Sequence, residues 1–188
     1  MRRCHYSPFG ESVRHDENQR VTRRIECPTL GVKKRHKVTH VTQTLRRASV
    51  SDLDDLMVVE QMSYTEPFTG DVFQQFLEDP TCICVLADDN GTIVGYALAS
   101  VNLHLSQLLS IAVMPSHRSQ GVARRLLAGV MDYCRASGAE NIRLEVRSAN
   151  HAARRLYEAM GFSLIGLRNK YYGDDDALVM RADLQLEE

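Results

Sequence analysis

The stretch Ser110-Ile-Ala-Val-Met-Pro-Ser-His-Arg-Ser-Gln-Gly-Val-Ala-Arg125 decides the fold, because it joins a strand to a long helix through a short polar turn. The apolar residues before Pro115 are typical of a buried strand, and the proline ends that strand. Amide groups at the start of a helix have no partner within the helix and carry partial positive charge. The turn before the helix is therefore predicted to hold an anion such as a diphosphate.

The side chains of this turn favour the same interpretation. Gly121 and Ala123 are small enough to let phosphate oxygens approach the backbone, and Arg118, Arg124 and Arg125 add positive charge. A Walker loop is excluded because its Gly-Lys-Ser/Thr end is missing, and a Rossmann loop is excluded because G-x-G-x-x-G is absent. A well-capped helix that binds no ligand is the alternative for the spacing alone.

The elements on either side of the turn alternate between strands and helices. Apolar patterns predict strands over 44–48, 81–87, 92–101, 105–113, 141–147, 162–171 and 177–184. Helices are predicted from a cap at Ser51, from a cap at Thr69, and over 120–137 and 152–160. Asn90-Gly91 between two apolar runs predicts a hairpin. The order β-α-α-β-β-β-α-β-α-β-β indicates a mixed α/β sheet.

Charge divides the chain into two parts. Residues 1–47 hold 12 Lys+Arg and 4 Asp+Glu, a net +8, whereas residues 48–188 hold 11 and 20, a net −9. We expect a disordered basic extension over residues 1–40 and a domain over 41–188. The extension is either an arm that contacts ribosomal RNA, or dispensable, or not translated, with a start codon at Val41. Nucleic-acid binding is expected through the extension alone, since the domain is acidic.

Composition narrows the compartment and the chemistry. The five cysteines are odd in number and contain no C-x-x-C, so neither a disulfide framework nor a zinc site is predicted. There is no apolar run long enough for a membrane span and no secretory signal near the start. We expect a cytoplasmic protein with no metal and no membrane partner.

The motif Arg118-Ser-Gln-Gly121-Val-Ala123 resembles R/Q-x-x-G-x-G/A, by which GNAT acetyltransferases hold the pyrophosphate of coenzyme A. The resemblance extends over about residues 44–184. It implies the GNAT fold, an α/β (α+β) arrangement with a mostly antiparallel central sheet of about seven strands flanked by helices, and acetyl-CoA as acetyl donor. The implied coenzyme contacts fall at Ile111, Ala112, Val113, Arg118, Ser119, Gln120, Gly121, Val122, Ala123, Arg124 and Asn150.

Acetylation of an amine requires a base for the nitrogen and an acid for the leaving thiolate. The segments 144–150 and 156–162 are similar to the closing part of the family's core, particularly its RimI subfamily. The resemblance assigns the base to Glu145 and the acid to Tyr157. On the residues alone, Glu145 could lie on a solvated charged face and Tyr157 could be a core aromatic. Glu66 or an ordered water is the alternative base.

A residue on the predicted fourth strand differs from the archaeal NatA-like enzymes. Gln107 stands where these enzymes have a histidine, and glutamine cannot act as a base.

The end of the chain resembles the segment that lines the slot for a protein N-terminus in RimI and NatA subunits. Tyr171 and Tyr172 could flank a peptide backbone, and Asp174 to Asp176 could attract a cationic amine. The predicted substrate contacts are Tyr64, Glu66, Phe68, Tyr171 and Tyr172. The implied partner is a protein N-terminus, a ribosomal protein among the candidates, and the chain is expected to be a monomer or weak dimer. Acetylation of a small amine and non-catalytic sensing of acetyl-CoA are the competing functions.

Overall fold

The computed structural model describes residues 43–173 and 175–184, so the predicted extension over residues 1–40 lies outside the described residues. Seven strands lie within them: β1 (Thr44–Arg47), β2 (Cys82–Asp89), β3 (Thr92–Ser100), β4 (Ser106–Val113), β5 (Asn141–Arg147), β6 (Ser163–Arg168) and β7 (Ala177–Asp183). Four α-helices accompany them: α1 (Leu53–Ser63), α2 (Gly70–Glu78), α3 (Val122–Ala136) and α4 (His151–Glu158). Short 3-10 turns at Val50–Asp52 and Pro115–His117 precede α1 and α3.

All seven strands form one sheet in the order β1-β2-β3-β4-β5-β7-β6. Neighbouring strands are antiparallel except β4 and β5, which are parallel. The prediction of a mixed, mostly antiparallel seven-stranded sheet is therefore confirmed. The predicted hairpin is confirmed as well, because Asn90 and Gly91 have φ values of 54° and 87° between β2 and β3.

Helices cover both faces of the sheet. On one side, which we call the α3 face, Leu126 and Val130 of α3 and Ala153 of α4 join one apolar cluster with Leu144 and other strand residues. On the opposite side, the α1 face, α1 and α2 form a second cluster. The alternation of β5 places Ile142, Leu144 and Val146 on the α3 face and its charged residues on the α1 face.

The start of α1 differs from its prediction. Ser51 is not the cap. Ser49 caps the 3-10 turn that leads into α1, because its backbone N–H and its hydroxyl both donate to Asp52, at 2.8 and 3.0 Å, and Asp52 is the N-cap residue of α1 itself. Arg46 also donates to both carboxylate oxygens of Asp52, and this ion pair lowers the pKa of that carboxyl below its usual range. The capping pair is thus Ser49 with Asp52, three residues on, two residues earlier than predicted.

Within the described ranges, none of the helices combines the length and the apolar character that crossing a bilayer requires.

The closest backbone approach in the sheet generates a stability prediction. A Cβ at Gly95 of β3 would lie 2.8 Å from the carbonyl oxygen of Ala112 and 3.1 Å from a methyl of Leu126. We expect Gly95→Ala to lower the free energy of unfolding by about 1–3 kcal/mol, since overpacking must displace a strand. Thermal unfolding measures the change. Gly70→Ala is the matched control, because nothing lies within 4 Å of its added Cβ; equal melting temperatures for the two variants would contradict the prediction.

Candidate functional site

A cleft opens between β4 and β5. The two strands pair at only two positions, Ser106 with Ile142 and Gln107 with Arg143. Beyond these positions β4 continues along β3, and β5 continues along β7. The β3–β4 register shifts by one residue at Leu109, and such bulges bend a strand. The two carboxyl-terminal halves therefore diverge and leave an opening within the sheet.

The β4 edge of this cleft presents backbone donors. The amide of Met114 donates to the Val94 carbonyl of β3, so alternation turns the peptide groups of Ile111 and Val113 toward the cleft. Tyr64 Oη donates to the Ile111 carbonyl at 2.7 Å. Since that carbonyl is already bonded, the edge favours a ligand that accepts hydrogen bonds.

Arg118 completes this arrangement at the end of β4. Its Nε–H donates to the Val113 carbonyl at 3.0 Å, which ties the turn back to the strand. Ala112, predicted as a contact together with its neighbours, pairs with Tyr96 of β3. Its peptide group therefore faces away from the cleft.

The turn before α3 has the form that a bound anion requires. Gly121 is the N-cap in a left-handed conformation, with φ 79°, and a Cβ placed there would meet nothing within 4 Å. The first helical bond runs from the Arg125 amide to the Gly121 carbonyl, so the amides of residues 122–124 precede the helical ladder. A glycine has no side chain to cap these amides, and an anion can take that place.

Most of the predicted turn residues surround one depression with about 440 Å³ of empty space. Its lining comprises Val113, His117, Arg118, Ser119, Gly121, Val122, Ala123, Arg124 and Leu156. His117 and Leu156 were not predicted. Two other side chains turn elsewhere: Gln120 Nε2 donates to the Ser116 carbonyl, and Arg125 donates to Gln43. Arg125, which was expected to add charge at the turn, therefore binds the segment before β1 instead.

Glu145 lies on the α1 face of β5 and is not solvated. Its side chain is only 7% exposed, and Oε1 lies 3.0 Å from a terminal nitrogen of Arg168 on β6. The alternative of an exposed charged face is therefore wrong. A buried carboxylate of this kind is maintained by its cationic partner, because an unpaired one would be strongly destabilising.

Tyr157 is fully buried on the α3 face. Its ring lies 5.7 Å from that of Phe162 and belongs to the cluster that contains Val113 of β4 and Val146 of β5. Glu145 and Tyr157 thus lie on opposite faces of the sheet beside the same cleft. A reactant that passes through the cleft can meet a carboxylate on one side and a phenol on the other.

Asn150 has a structural role at the start of α4. Its Oδ1 accepts a hydrogen bond from the Ala153 amide at 3.1 Å, so it caps that helix. The predicted contact between this side chain and the coenzyme stays a prediction.

The two adjacent tyrosines stand at the Glu145 end of the cleft. Tyr172 is buried and its hydroxyl donates to the Glu145 carbonyl at 3.5 Å. Arg147 stacks over the Tyr172 ring at 4.4 Å, and Arg168 over the Tyr171 ring at 5.3 Å. The rings meet edge to face, 5.2 Å apart. Arginine stacking therefore fixes this wall.

The acidic residues beside these tyrosines accept hydrogen bonds that stabilise the loop in which they lie. The Ser148 hydroxyl donates to Asp175 at 2.5 Å and lowers the pKa of that carboxyl. The Lys170 amide donates to Asp176 at 2.7 Å. Asp174, the third acidic residue of the predicted amine-attracting turn, lies outside the described residues.

The facing loop places its three predicted contacts differently. Tyr64 and Phe68 are buried, at 8% and 5% exposure, and Glu66 is exposed. The Phe68 ring packs edge to face against Phe73 and Phe76, with centroids 6.1 and 5.5 Å apart. Tyr64 reaches the cleft through its hydroxyl, whereas Phe68 anchors the loop in the α1-face cluster.

Sequence reasoning missed Glu60. This α1 residue is 1% exposed, accepts the Phe68 amide at 2.7 Å and is hydrogen-bonded to the Tyr96 phenol. Glutamate in a helix usually indicates an exposed face. The signal was its position, because Glu60 continues the buried stripe of Leu56 and Val59.

The turn before α3 and the β4 edge together fit one kind of ligand. Within the described residues no cluster of three or more His, Cys, Asp and Glu could hold a metal ion. The amides before α3, with Arg118 and Arg124, fit a diphosphate, and the β4 edge fits an amide-containing chain that leads to the cleft.

Comparison with known proteins agrees with this geometry. The signature of the acetyltransferase (GNAT) family matches residues 51–162. A Mycobacterium tuberculosis protein named N-alpha-acetyltransferase RimI is 36% identical over 124 residues, 63% of this chain and 77% of its own. The Arabidopsis thaliana protein named N-terminal acetyltransferase A complex catalytic subunit NAA10 is 33% identical over 149 residues, 75% and 78% of the two chains.

A solved structure is similar over nearly its whole length. The crystal structure of the ribosomal-protein-S18-alanine N-acetyltransferase from Escherichia coli has a TM-score of 0.72 and 28% identity, covering 78% of this chain and 96% of its own.

Donor binding at the turn before α3 can be tested with one variant. We expect Gly121→Glu to weaken acetyl-CoA affinity by at least about 100-fold, since the carboxylate would occupy the open space and repel the diphosphate. Isothermal calorimetry measures the affinity. Gly161→Glu is the control, because Gly161 has a similar φ of 86° and equally open surroundings after α4. Equal affinities for the two variants would reject this turn as the diphosphate site.

Proposed function

Because the chain belongs to the acetyltransferase (GNAT) family, we propose that it transfers the acetyl group of acetyl-CoA to the α-amino group of a protein N-terminus. The observation that carries the proposal is the cleft between β4 and β5, with Glu145 on one face and Tyr157 on the other. The relatives named above are described as acting on ribosomal protein S18 or as part of an N-terminal acetyltransferase complex.

Donor binding needs only the backbone and two arginines. The amides at the start of α3, with Arg118 and Arg124, take the diphosphate. The N–H groups of Ile111 and Val113 take the carbonyl oxygens of the arm that leads into the cleft. When bound, acetyl-CoA supplies the thioester, and the chain positions this group between the two strands.

Glu145 is the proposed proton acceptor on the α1 face. An amine attacks only as the neutral base, so a group at this side of the cleft must take its proton. The ion pair with Arg168 fixes the orientation of the Glu145 carboxylate at this side of the cleft. An ordered water is one alternative acceptor. Glu66, exposed in the facing loop, is the other.

Tyr157 is the proposed proton donor on the α3 face. The apolar cluster around its ring makes a bare thiolate unfavourable there, so a hydroxyl proton delivered to the leaving sulfur would lower the barrier. The base and the acid then act on opposite sides of the sheet. The incoming amine and the departing thiol do not compete for one space.

The walls on the α1 face suit an extended peptide end. Tyr172 and Tyr171, fixed by Arg147 and Arg168, stand on one side, and the loop over residues 64–68 stands on the other. An α-amine has a pKa of about 8 against about 10.4 for lysine, so it is the easier substrate at neutral pH. We place this activity in the cytoplasm, on a ribosomal protein or other N-termini, with a monomer or weak dimer as the acting form.

A panel of substrates tests the proposal. Peptides that begin with Ala, Ser or Met should release free CoA from acetyl-CoA, and the same peptides with a blocked N-terminus should not, since the site accepts a free α-amine. Polyamines and an aminoglycoside are included in the panel. Acetylation of these small amines alone would favour the first competing function, and acetyl-CoA binding without any transfer would favour a sensor.

The separate roles of the two site residues predict different kinetic signatures. Tyr157→Phe should lower the rate constant by about 100-fold or more, while acetyl-CoA affinity stays within about twofold, because only the proton donor is lost. Glu145→Gln should shift the pH–rate profile to higher pH, because the amine must then lose its proton to solvent. Near-normal turnover in the first variant would make Tyr157 a packing residue, and an unchanged profile in the second would move the base to Glu66 or water.

A further inference from the structure

A chain of buried hydrogen bonds connects α1 to the floor of the cleft. It begins at Glu60 Oε2 and passes to the Tyr96 hydroxyl, then over 2.9 Å to Ser110 Oγ. From there it crosses 3.0 Å to the Tyr64 hydroxyl and 2.7 Å to the Ile111 carbonyl. Every side chain in the chain is buried. The chain therefore joins α1, β3 and β4 to the loop that faces the candidate substrate site.

The number of available protons determines the direction, from donor to acceptor, in which these hydrogen bonds run. Four oxygen-to-oxygen contacts each require one proton, but the hydroxyls of Tyr96, Ser110 and Tyr64 supply only three. The Ile111 carbonyl can only accept. A fourth proton on Glu60 satisfies all four contacts at once, because each oxygen then donates to the next, from Glu60 to Ile111.

An ionised Glu60 leaves one contact without a proton. If Tyr96 donates to the carboxylate, Ser110 can serve one of the two phenol oxygens beside it, and Tyr64 can serve either Ser110 or Ile111. One pair of oxygens then faces each other with lone pairs only, which is costly in a buried site. Burial also raises the pKa of Tyr96 well above its ordinary value, so that phenol keeps its proton.

We propose that Glu60 is a positioning residue that acts as a neutral acid, whose proton begins a directed hydrogen-bond chain ending on the Ile111 carbonyl. Its other oxygen accepts the Phe68 amide, so the same group fixes the far end of the loop over residues 64–68. Glu60 thereby holds the substrate-facing loop in register with the β4 edge. The kinetic part of this inference rests on the proposed function; the protonation state does not.

Two substitutions at Glu60 separate its charge from its hydrogen bonds. Glu60→Gln keeps an acceptor for the Phe68 amide and a donor for Tyr96, so kcat and the peptide KM should stay within about twofold of the parent. Glu60→Met keeps the volume but removes both bonds, so the peptide KM should rise by at least about 10-fold. Acetyl-CoA affinity should stay within about twofold in both variants, because the diphosphate is held at α3.

The outcomes of the kinetic test are distinct. A Glu60→Gln variant as impaired as Glu60→Met would show that a carboxylate is required and would overturn the neutral acid. A parental peptide KM in Glu60→Met would overturn the positioning role, and so would equal losses in kcat and acetyl-CoA affinity, which indicate general damage. If Glu60→Met does not fold, Tyr96→Phe takes its place with the same expected rise in KM, since it removes one hydroxyl from the chain.

A direct measurement does not depend on activity. The infrared spectrum of the full chain at neutral pH should contain the C=O stretch of a protonated carboxyl group, and this band should disappear in Glu60→Gln. The control Glu78→Gln alters an exposed carboxylate of α2 and should leave the band unchanged. Absence of the band from the parent would overturn the inference. A parent that has the band but acetylates no peptide would reject the proposed function alone.

Discussion

The parting of β4 and β5 after two residue pairs is the constraint from which the rest of the site follows. Backbone groups within a sheet must find partners, and strands that separate leave theirs exposed to the opening. The protein satisfies the carbonyl groups on the β4 side with Tyr64 and Arg118, both of them side chains from neighbouring segments. On the β5 side, the Glu145 carbonyl accepts a hydrogen bond from the Tyr172 hydroxyl. The groups of β4 that remain in the opening are N–H donors. The cleft therefore favours a ligand that accepts hydrogen bonds.

The parting also explains why the reactive groups lie on two different elements. Glu145 can be ion-paired and buried because β7 and β6 continue the sheet beyond β5 and bring Arg168 within reach. Tyr157 can be buried because α4 crosses behind the same strands. Each group therefore receives its own environment, one polar and one apolar. Such separation of environments is how proteins assign different protonation roles to neighbouring groups.

Features set by local sequence were predictable. The hairpin at Asn90-Gly91 and the cradle before α3 follow from the backbone freedom of glycine and from the chemistry of a helix start, which involve few residues. The prediction of the cap before α1 was wrong by two residues because two serines compete for that position. Only Ser49 has an acidic residue three positions later that is also bound by Arg46. The motif resemblance supplied Glu145 and Tyr157, which local patterns alone could not separate from surface and core residues.

Features set by tertiary contacts were not predictable. Arg168 is 23 residues from Glu145 in the sequence, and nothing local to either residue indicates the pair. Glu60 depends on partners from two other segments, the Phe68 loop and β3, and its side chain alone favours an exposed position. The packing of Phe68 against Phe73 and Phe76 in the α1-face cluster likewise depends on residues further along the chain.

The N–H groups of β4 that face the cleft can bind acetyl-CoA as they would bind a neighbouring strand. A chain of coenzyme carbonyls in the cleft would complete the ladder that β5 abandons, so occupancy becomes part of the folding equilibrium. A ligand present at 100 times its dissociation constant stabilises the folded state by about 2.7 kcal/mol, a large share of a typical domain's stability of about 5–15 kcal/mol. The fraction of the protein that is folded would then rise with the concentration of acetyl-CoA.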